Sequence, residues 1–487
     1  MMTSTSGRNW DNKLFTGEWL PGHGESVPAR EAATGASLAM LATASTADVA
    51  ASVEIARQAQ AEWAGWSFDR RAEVLRNVAR LIRERTAEFN HWNIRECGSI
   101  PAKAEWEIQA VYEQAQMAAA MPMQPVGELY PSAMPGRMNY CQRLPIGVVG
   151  VIAPWNFPIL LSMRSVLPAL AVGNAVVLKP DLQSAVCGGL LLAEVFEAAG
   201  LPRGVFHVLP GGPQTGADLV AHPDVKMISF TGSTQVGRSI GEVCGRMLKK
   251  VALELGGNNP LVVLDDADLE VASSCGAWGA FLHQGQICMQ AGRHLVQRGV
   301  AERYIGLLAE RASRLVVGNP ATEPVHLGPL INLRQAERVE DIVQRSVAMG
   351  ARIVAGGRRQ GQFFEATVLA DVTPDMPAFS EEIFGPVAPV TVFDTDEEAV
   401  TLVKRSPYGL AAAVHGSAMG RASALASKLR AGMVHINDQT VNNEFHIPFG
   451  GMGASGNGGR FGGPANFEEF TQTQWVSVSH KGIQYPF

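Results

Sequence analysis

A single cysteine, Cys288, stands in the stretch FLHQGQICMQAGR (residues 281–293), with Gly285 and Gly292 on either side of it. A thiolate is the one strong nucleophile that a side chain offers near neutral pH, so this residue can do covalent chemistry. Core packing, metal ligation and a disulfide are the other roles open to a cysteine. Two more polar residues sit in glycine- or proline-marked settings, Glu254 in LELGG and Asn156 in PWNFP. Read alone, the first is a solvated charge at a strand end and the second a turn asparagine. The two glycines after Glu254 tilt that reading, because they let the chain flex and let another group approach closely.

Composition narrows the chemistry. The six cysteines, Cys97, Cys141, Cys187, Cys244, Cys275 and Cys288, include no CxxC and no zinc-like spacing, so no metal is expected. Scattered thiols in a long chain read as reduced, and MMTSTSGRNWDNK has no apolar leader core, so the cytoplasm is the expected location. The net charge is −6 and the basic residues are dispersed, which points away from nucleic acid and anionic membranes and toward a small-molecule partner. LPIGVVGVIAPWNFPILLSM (144–163) is uncharged and long enough to span a bilayer, but its prolines and glycines make it a buried strand followed by a turn.

These residues need elements to hold them. With 487 residues there is room for roughly three domains of about 150 residues, or two larger ones. Residues 47–119 repeat apolar positions at helical spacing. Short β-rich runs follow, GVVGVIAP, NAVVLKP, GVFHVLPG and MISFTGS, separated by helical stretches, which predicts a parallel sheet covered by helices. A second α/β unit begins after Glu254 with NPLVVLDD, then ADLEVASSCGAWGAFLHQG as a helix and HLVQRG, ARIVAGG and APVTVFD as strands. HIPFGGMGASGNGGRFGGP (446–464) is expected to be irregular loop. TQTQWVSVSH alternates and has no evident local partner, so it reads as an edge strand awaiting another subunit, with MNYCQRLP as a second arm of that kind.

PWNFP (154–158), VVLKP (176–180), FTGST (230–234), LELGG (253–257), GQICMQAGR (285–293) and EEIFGP (381–386) together resemble the aldehyde dehydrogenase superfamily in order and approximate spacing. GRMLKKVALELGGNN, AWGAFLHQGQICM and MVHINDQ resemble its bacterial benzaldehyde dehydrogenases of aromatic-degradation pathways. The resemblance implies an α/β fold with a Rossmann-type cofactor domain (1–126 and 146–254), an α/β catalytic domain (255–468) and a β-strand oligomerisation arm (127–145 and 469–487), assembled as a homodimer or homotetramer. It implies oxidation of an aromatic aldehyde to the acid with NAD, a semialdehyde or aliphatic aldehyde being the alternative substrate and a non-catalytic structural member of the fold the alternative class.

In that reading Cys288 is the nucleophile, with Cys275 its rival. Asn156 and the Cys288 backbone N–H steady the oxyanion, and Glu254 activates the water that hydrolyses the thioester. Gly232 and Ser233 take the diphosphate at a helix start, Lys179 the adenine ribose, Glu382 the nicotinamide ribose, and Phe384 and Trp155 wall the nicotinamide side. Leu160, Leu161, Leu282 and Phe449 are expected to line an apolar tunnel, with Arg164 at its mouth for a polar ring substituent, or else as a solvated surface arginine. The sequence departs from the family twice. Leu182 stands where NAD-preferring members often carry a glutamate, so nothing there repels the 2′-phosphate of NADP. Phe461, after Gly459 and Arg460, replaces a proton-relaying glutamate.

Overall fold

The computed structural model describes residues 8–487, so the first residues of MMTSTSGRNWDNK lie outside the described part. The helical periodicity of 47–119 resolves into four helices, Thr46–Gly65, Phe68–Glu84, Thr86–Cys97 and Pro101–Ala120. Their boundaries follow local chemistry. Ser45 and Asp48 form a reciprocal capping box at the first start. Gly98, at φ 65°, ends the third helix in a left-handed turn, and Pro101 opens the fourth. The second buries one stripe, including Leu75, Val78 and Ile82.

Two seven-stranded sheets form the body. In the first, Lys250–Glu254, Val225–Thr231, Val148–Ile152, Ala175–Lys179 and Phe206–Val208 run parallel in that spatial order. Lys13–Phe15 and Trp19–Pro21 extend it antiparallel, and Ser26–Arg30 pairs with Ser37–Ala42 in a separate hairpin, elements that the residue pattern did not announce. The second sheet is parallel through Thr367–Ala370, Val387–Phe393, Arg293–Gln297, Pro260–Val263, Ala411–His415 and Met433–Ile436, with Arg352–Ala355 antiparallel at its edge. The uncharged stretch 144–163 is the buried strand Val148–Ile152 plus the start of a wholly buried helix, Pro158–Ala171. Among the described residues no helix is long and apolar enough to cross a membrane.

The C-terminal strand departs from expectation. Thr471–Ser479 does have a partner in its own chain: it pairs antiparallel along its whole length with Arg137–Pro145, which also pairs with Gly127–Tyr130. The two presumed arms are thus one three-stranded sheet. Alternation reveals a strand but not a partner 332 residues away, the separation of Gln142 and Gln474, whose amides bond across the pair. The glycine-rich stretch 446–464 is mostly irregular, pinned by bridges of Glu254 to Gly456 and Phe449 to Phe461.

Candidate active site

The first sheet delivers residues from the carboxyl ends of its strands. Lys179 and Glu254 are the last residues of theirs, Thr231 stands beside Glu254 in register, and Trp155 and Asn156 follow just beyond Ile152. Chain order reverses between Val148–Ile152 and Val225–Thr231, and such a switch point opens a crevice at the carboxyl edge of a parallel sheet.

The second sheet meets this crevice with the loops that precede its strands. Cys288 lies just before Arg293–Gln297, and Glu382 before Val387–Phe393. The loop to Cys288 is strained: His283, Gln284 and Gly285 are consecutive left-handed residues at φ 48°, 55° and 68°. Such a conformation costs a non-glycine residue roughly 1–3 kcal/mol, and three glutamines hold it in place. Gln284 donates to the carbonyls of Gly98 (3.1 Å) and Pro329 (2.8 Å), Gln290 to that of Gly385 (2.6 Å), and Gln286 accepts the Ile331 N–H (3.0 Å). Asn259 fixes the far side, donating to the Cys288 (2.9 Å) and Gln290 (2.7 Å) carbonyls.

The three residues singled out for chemistry converge. Asn156 is 4% exposed, and its amide donates to the Gln286 carbonyl at 2.9 Å, which ties it to the cysteine loop and leaves its second N–H for another acceptor. Glu254 is 2% exposed, and its Oε1 has no hydrogen-bond partner. Burial pushes its pKa up to about 8 against the pull of the Arg164 and Arg460 guanidiniums. Burial likewise pushes the Cys288 thiol up to about 12, opposed by Arg164 and reinforced by the Glu254 and Glu382 carboxylates. Cys275, the rival, is a partly buried helical residue packed on the apolar cluster of the second sheet.

Arg164 is not a solvated surface residue. It is 7% exposed, its guanidinium lies over the rings of Phe461 (4.6 Å) and Phe449 (5.0 Å), Nη2 donates to Thr231 Oγ1 at 2.9 Å, and Nε has no partner. Local sequence could not show this, because both rings come from the glycine-rich loop far along the chain. Arg164 lines a cavity of about 540 Å³ together with Met121, Met163, Phe445, Phe449 and Phe461. Leu160, Leu161 and Leu282, expected in the same tunnel, are not among its lining residues. Leu160 and Leu161 are packed in the core and Leu282 lies against it.

On the opposite side, Trp155 and Phe384 meet edge to face at 5.5 Å, with Phe384 at φ 52°. Glu382 accepts the Gly257 N–H at 2.9 Å, and burial raises its pKa to about 7. The glycine pair after Glu254 has a steric reason: a Cβ on Gly256 would stand 2.2 Å from Glu382 Oε2, and one on Gly257 2.4 Å from the Cys288 carbonyl oxygen. Burial lowers the pKa of Lys179. Ser233 caps the helix Thr234–Arg246 by accepting the Val236 N–H, whereas the Gly232 N–H donates to the Glu254 carbonyl at 3.0 Å. Gly232 therefore has no free N–H for a diphosphate, and the donors at this edge are those of the helix's first turn.

The sequence profile of the aldehyde dehydrogenase family matches residues 19–476. The chain belongs to the aldehyde dehydrogenase family. As a member it is an oxidoreductase. It is 57% identical over 478 residues to the benzaldehyde dehydrogenase [NAD(+)] of Pseudomonas putida, covering 98% of each chain. It is 51% identical to a vanillin dehydrogenase of Amycolatopsis, covering 100% of each. Among solved structures, lactaldehyde dehydrogenase from Escherichia coli superposes with a TM-score of 0.93 at 33% identity, over 96% of this chain and 99% of that one. Betaine aldehyde dehydrogenase from Staphylococcus aureus, solved with NAD+, gives 0.94 at 28% identity, over 98% and 96%.

In this aldehyde dehydrogenase further residues contact the segments that carry Asn156 and Cys288. His283 and Asn259 flank the nucleophile loop, and the buried pair Lys103 and Glu107 reaches the backbone around Asn156. His283 and Asn259 belong to the HQGQ and GGNN runs, whereas the local sequence marks Lys103 and Glu107 as no more than an i,i+4 pair on a helix.

Proposed function

We propose that the enzyme oxidises an aromatic aldehyde, benzaldehyde or a ring-substituted relative, to the carboxylic acid. The Cys288 thiolate adds to the aldehyde carbon, and Arg164 favours that charge against the cost of burial. The free N–H of Asn156 and the backbone N–H of Cys288 receive the developing oxyanion, where preorganised donors count most. Bound NAD would supply the hydride acceptor for the carbon held on Cys288. Glu254, buried and with its Oε1 free of any partner, takes a proton from the water that opens the resulting thioester. The site suits a dinucleotide: Glu382 keeps lone pairs for ribose hydroxyls, Lys179 is a partly buried cation at the crevice edge, and the helix start at Ser233 faces the same edge. NAD as the cofactor is supported by the benzaldehyde dehydrogenase [NAD(+)] relative, while Leu182 leaves no carboxylate to exclude NADP.

On this reading residues up to 126 together with 146–254 form the cofactor unit, 255–468 the catalytic unit, and 127–145 with 469–487 the oligomerisation arm of a homodimer or homotetramer. Leu129 and Trp475, both exposed and by register on opposite faces of the three-stranded sheet, support assembly through this sheet. The six unpaired cysteines support a cytoplasmic location.

The observation that carries the aromatic substrate is the 540 Å³ cavity walled by Phe445, Phe449 and Phe461, which neighbours Cys288 and Glu254 through Arg164 rather than being lined by them. Apolar walls reward a flat ring at roughly 25 cal/mol per Å² buried. The test is a panel of aldehydes assayed with NAD and with NADP. The efficiency for benzaldehyde should exceed that for acetaldehyde at least about tenfold, which corresponds to about 1.4 kcal/mol. Equal efficiencies, or a preference for succinic semialdehyde, would overturn the aromatic assignment.

A further inference from the structure

The helix that follows Asn156 lacks a cap of its own. Phe157 occupies the cap position without a capping side chain, and Pro158 opens the helix. The donors left over belong to Ile159 and Leu160, and both reach Glu107 Oε1, at 2.8 and 2.9 Å, on a helix fifty residues earlier in the chain. The other oxygen of Glu107 accepts from Lys103 Nζ at 2.6 Å and from the Asn93 amide at 2.8 Å. Lys103 in turn donates to the backbone carbonyl of Asn156 at 2.9 Å and to Asn93 Oδ1 at 3.3 Å, so its three donors are all used. Ser99 completes the cluster with a 2.6 Å bond to Asn93 Oδ1. The Lys103 and Glu107 side chains are 1% and 0% exposed.

A buried ion pair is a poor device for stability, since apolar residues of the same volume do as well or better. This pair does something that an apolar replacement cannot. It holds the Asn156 backbone from two directions, through the residue's own carbonyl and through the first N–H groups of the helix that follows. Lys103 also lies over the Phe157 ring at 4.4 Å, with His283 of the strained cysteine loop against the same ring at 5.4 Å. The segment carrying Asn156 is thus clamped between the ion pair and the loop that presents Cys288.

We infer that Lys103 and Glu107 are positioning residues for the oxyanion donor, setting where the free N–H of Asn156 stands relative to the Cys288 thiol. The inference rests on the reading of Asn156 as that donor. Its logic is geometric, because misplacement of a reacting group by about 1 Å can cost a factor of about 10² in rate.

The test is a double-mutant cycle read by single-turnover hydride transfer, with aldehyde KM and NAD binding measured alongside. The variant Lys103→Met/Glu107→Gln removes both charges but keeps an acceptor for the Ile159 and Leu160 N–H groups. In the wild-type background it should slow hydride transfer about tenfold or more while aldehyde KM and NAD affinity stay within about threefold. In an Asn156→Ala background the same change should cost less than about twofold, since no donor remains to be placed. If the double variant does not fold, Glu107→Gln alone runs the same cycle. Equal losses in both backgrounds, or no loss in the wild type, would overturn the positioning role and leave the pair as scaffold. A normal rate in Asn156→Ala itself would instead defeat the oxyanion reading, and this inference with it.

Discussion

The two seven-stranded sheets are built alike and meet at one site, yet they present opposite ends to it. The first offers strand carboxyl ends, so Lys179 and Glu254 are terminal strand residues held in register, Lys179 beside Ile152 and Glu254 between Thr231 and a bridge to Gly456. The second offers the loops that enter its strands, so Cys288 and Glu382 are held by side-chain bonds to loop carbonyls and N–H groups. Strand ends give rigid placement with no strain. Entry loops need left-handed residues and a set of amide brackets, and in return bring a backbone N–H and a nucleophile to the same point. One sheet supplies charge at fixed positions; the other supplies the reactive atom.

The difference can be broken at its most exposed point. Cys288→Ala should abolish dehydrogenase turnover while NAD binding stays within a few-fold, because the cofactor contacts lie mainly on the other sheet's edge. Loss measured by steady-state assay and retention measured by fluorescence titration would separate the two sheets' roles. Substantial residual turnover would move the nucleophile to Cys275.

A smaller effect is expected at the end of the first sheet. Glu254→Gln should leave acylation largely intact and slow deacylation by about 10²–10⁴, the usual range for a lost general base. Rapid mixing should show a burst of NADH about equal to the enzyme concentration, followed by slow turnover. The pH profile fixes the sign. The base form exists above its pKa, so deacylation in the native enzyme should rise with pH through about 8 and level off, falling about tenfold per unit below it. The substituted enzyme should lose that limb. A limb that survives belongs to another group.

The same contrast explains what could be read in advance. Strand ends are legible because a β-rich run stops at a glycine or proline and the residue at the stop is visible, as with Lys179 before Pro180 and Glu254 before Gly256 and Gly257. The helices of 46–120 were legible for the same local reason. Cys288 was recognisable from its motif, but the run of left-handed residues before it and the glutamine brackets depend on carbonyls from distant segments. The burial of Arg164 depends on Phe449 and Phe461, and the capping of the Pro158 helix depends on Glu107. Pairing of the C-terminal strand with 137–145 is long-range too. Propensity and periodicity report on neighbours in sequence, whereas these features are set by neighbours in space.

The smallest effect should come from the link between the sheets, where Gly256 and Gly257 differ in what they approach. A Cβ on Gly256 meets the Glu382 carboxylate, the end of a side chain that can swing away, whereas a Cβ on Gly257 meets the backbone carbonyl of Cys288, which cannot. Gly256→Ala should therefore displace Glu382 from its 2.9 Å bond to the Gly257 N–H without moving the nucleophile. A displaced Glu382 would meet the ribose hydroxyls less well; a hydrogen bond to a charged group contributes about 1.5–3 kcal/mol, and partial loss of those contacts predicts a rise in NAD KM of roughly tenfold. The rate at saturating NAD should change by less than about threefold. Gly257→Ala should show the reverse split, a fall in the chemical rate larger than any change in NAD KM. Initial-rate kinetics at varied NAD decide between them. A Gly256→Ala enzyme with unchanged NAD KM and a slowed chemical step would mean that Glu382 serves the cysteine loop rather than the cofactor, and the division of labour between the two sheets would have to be redrawn.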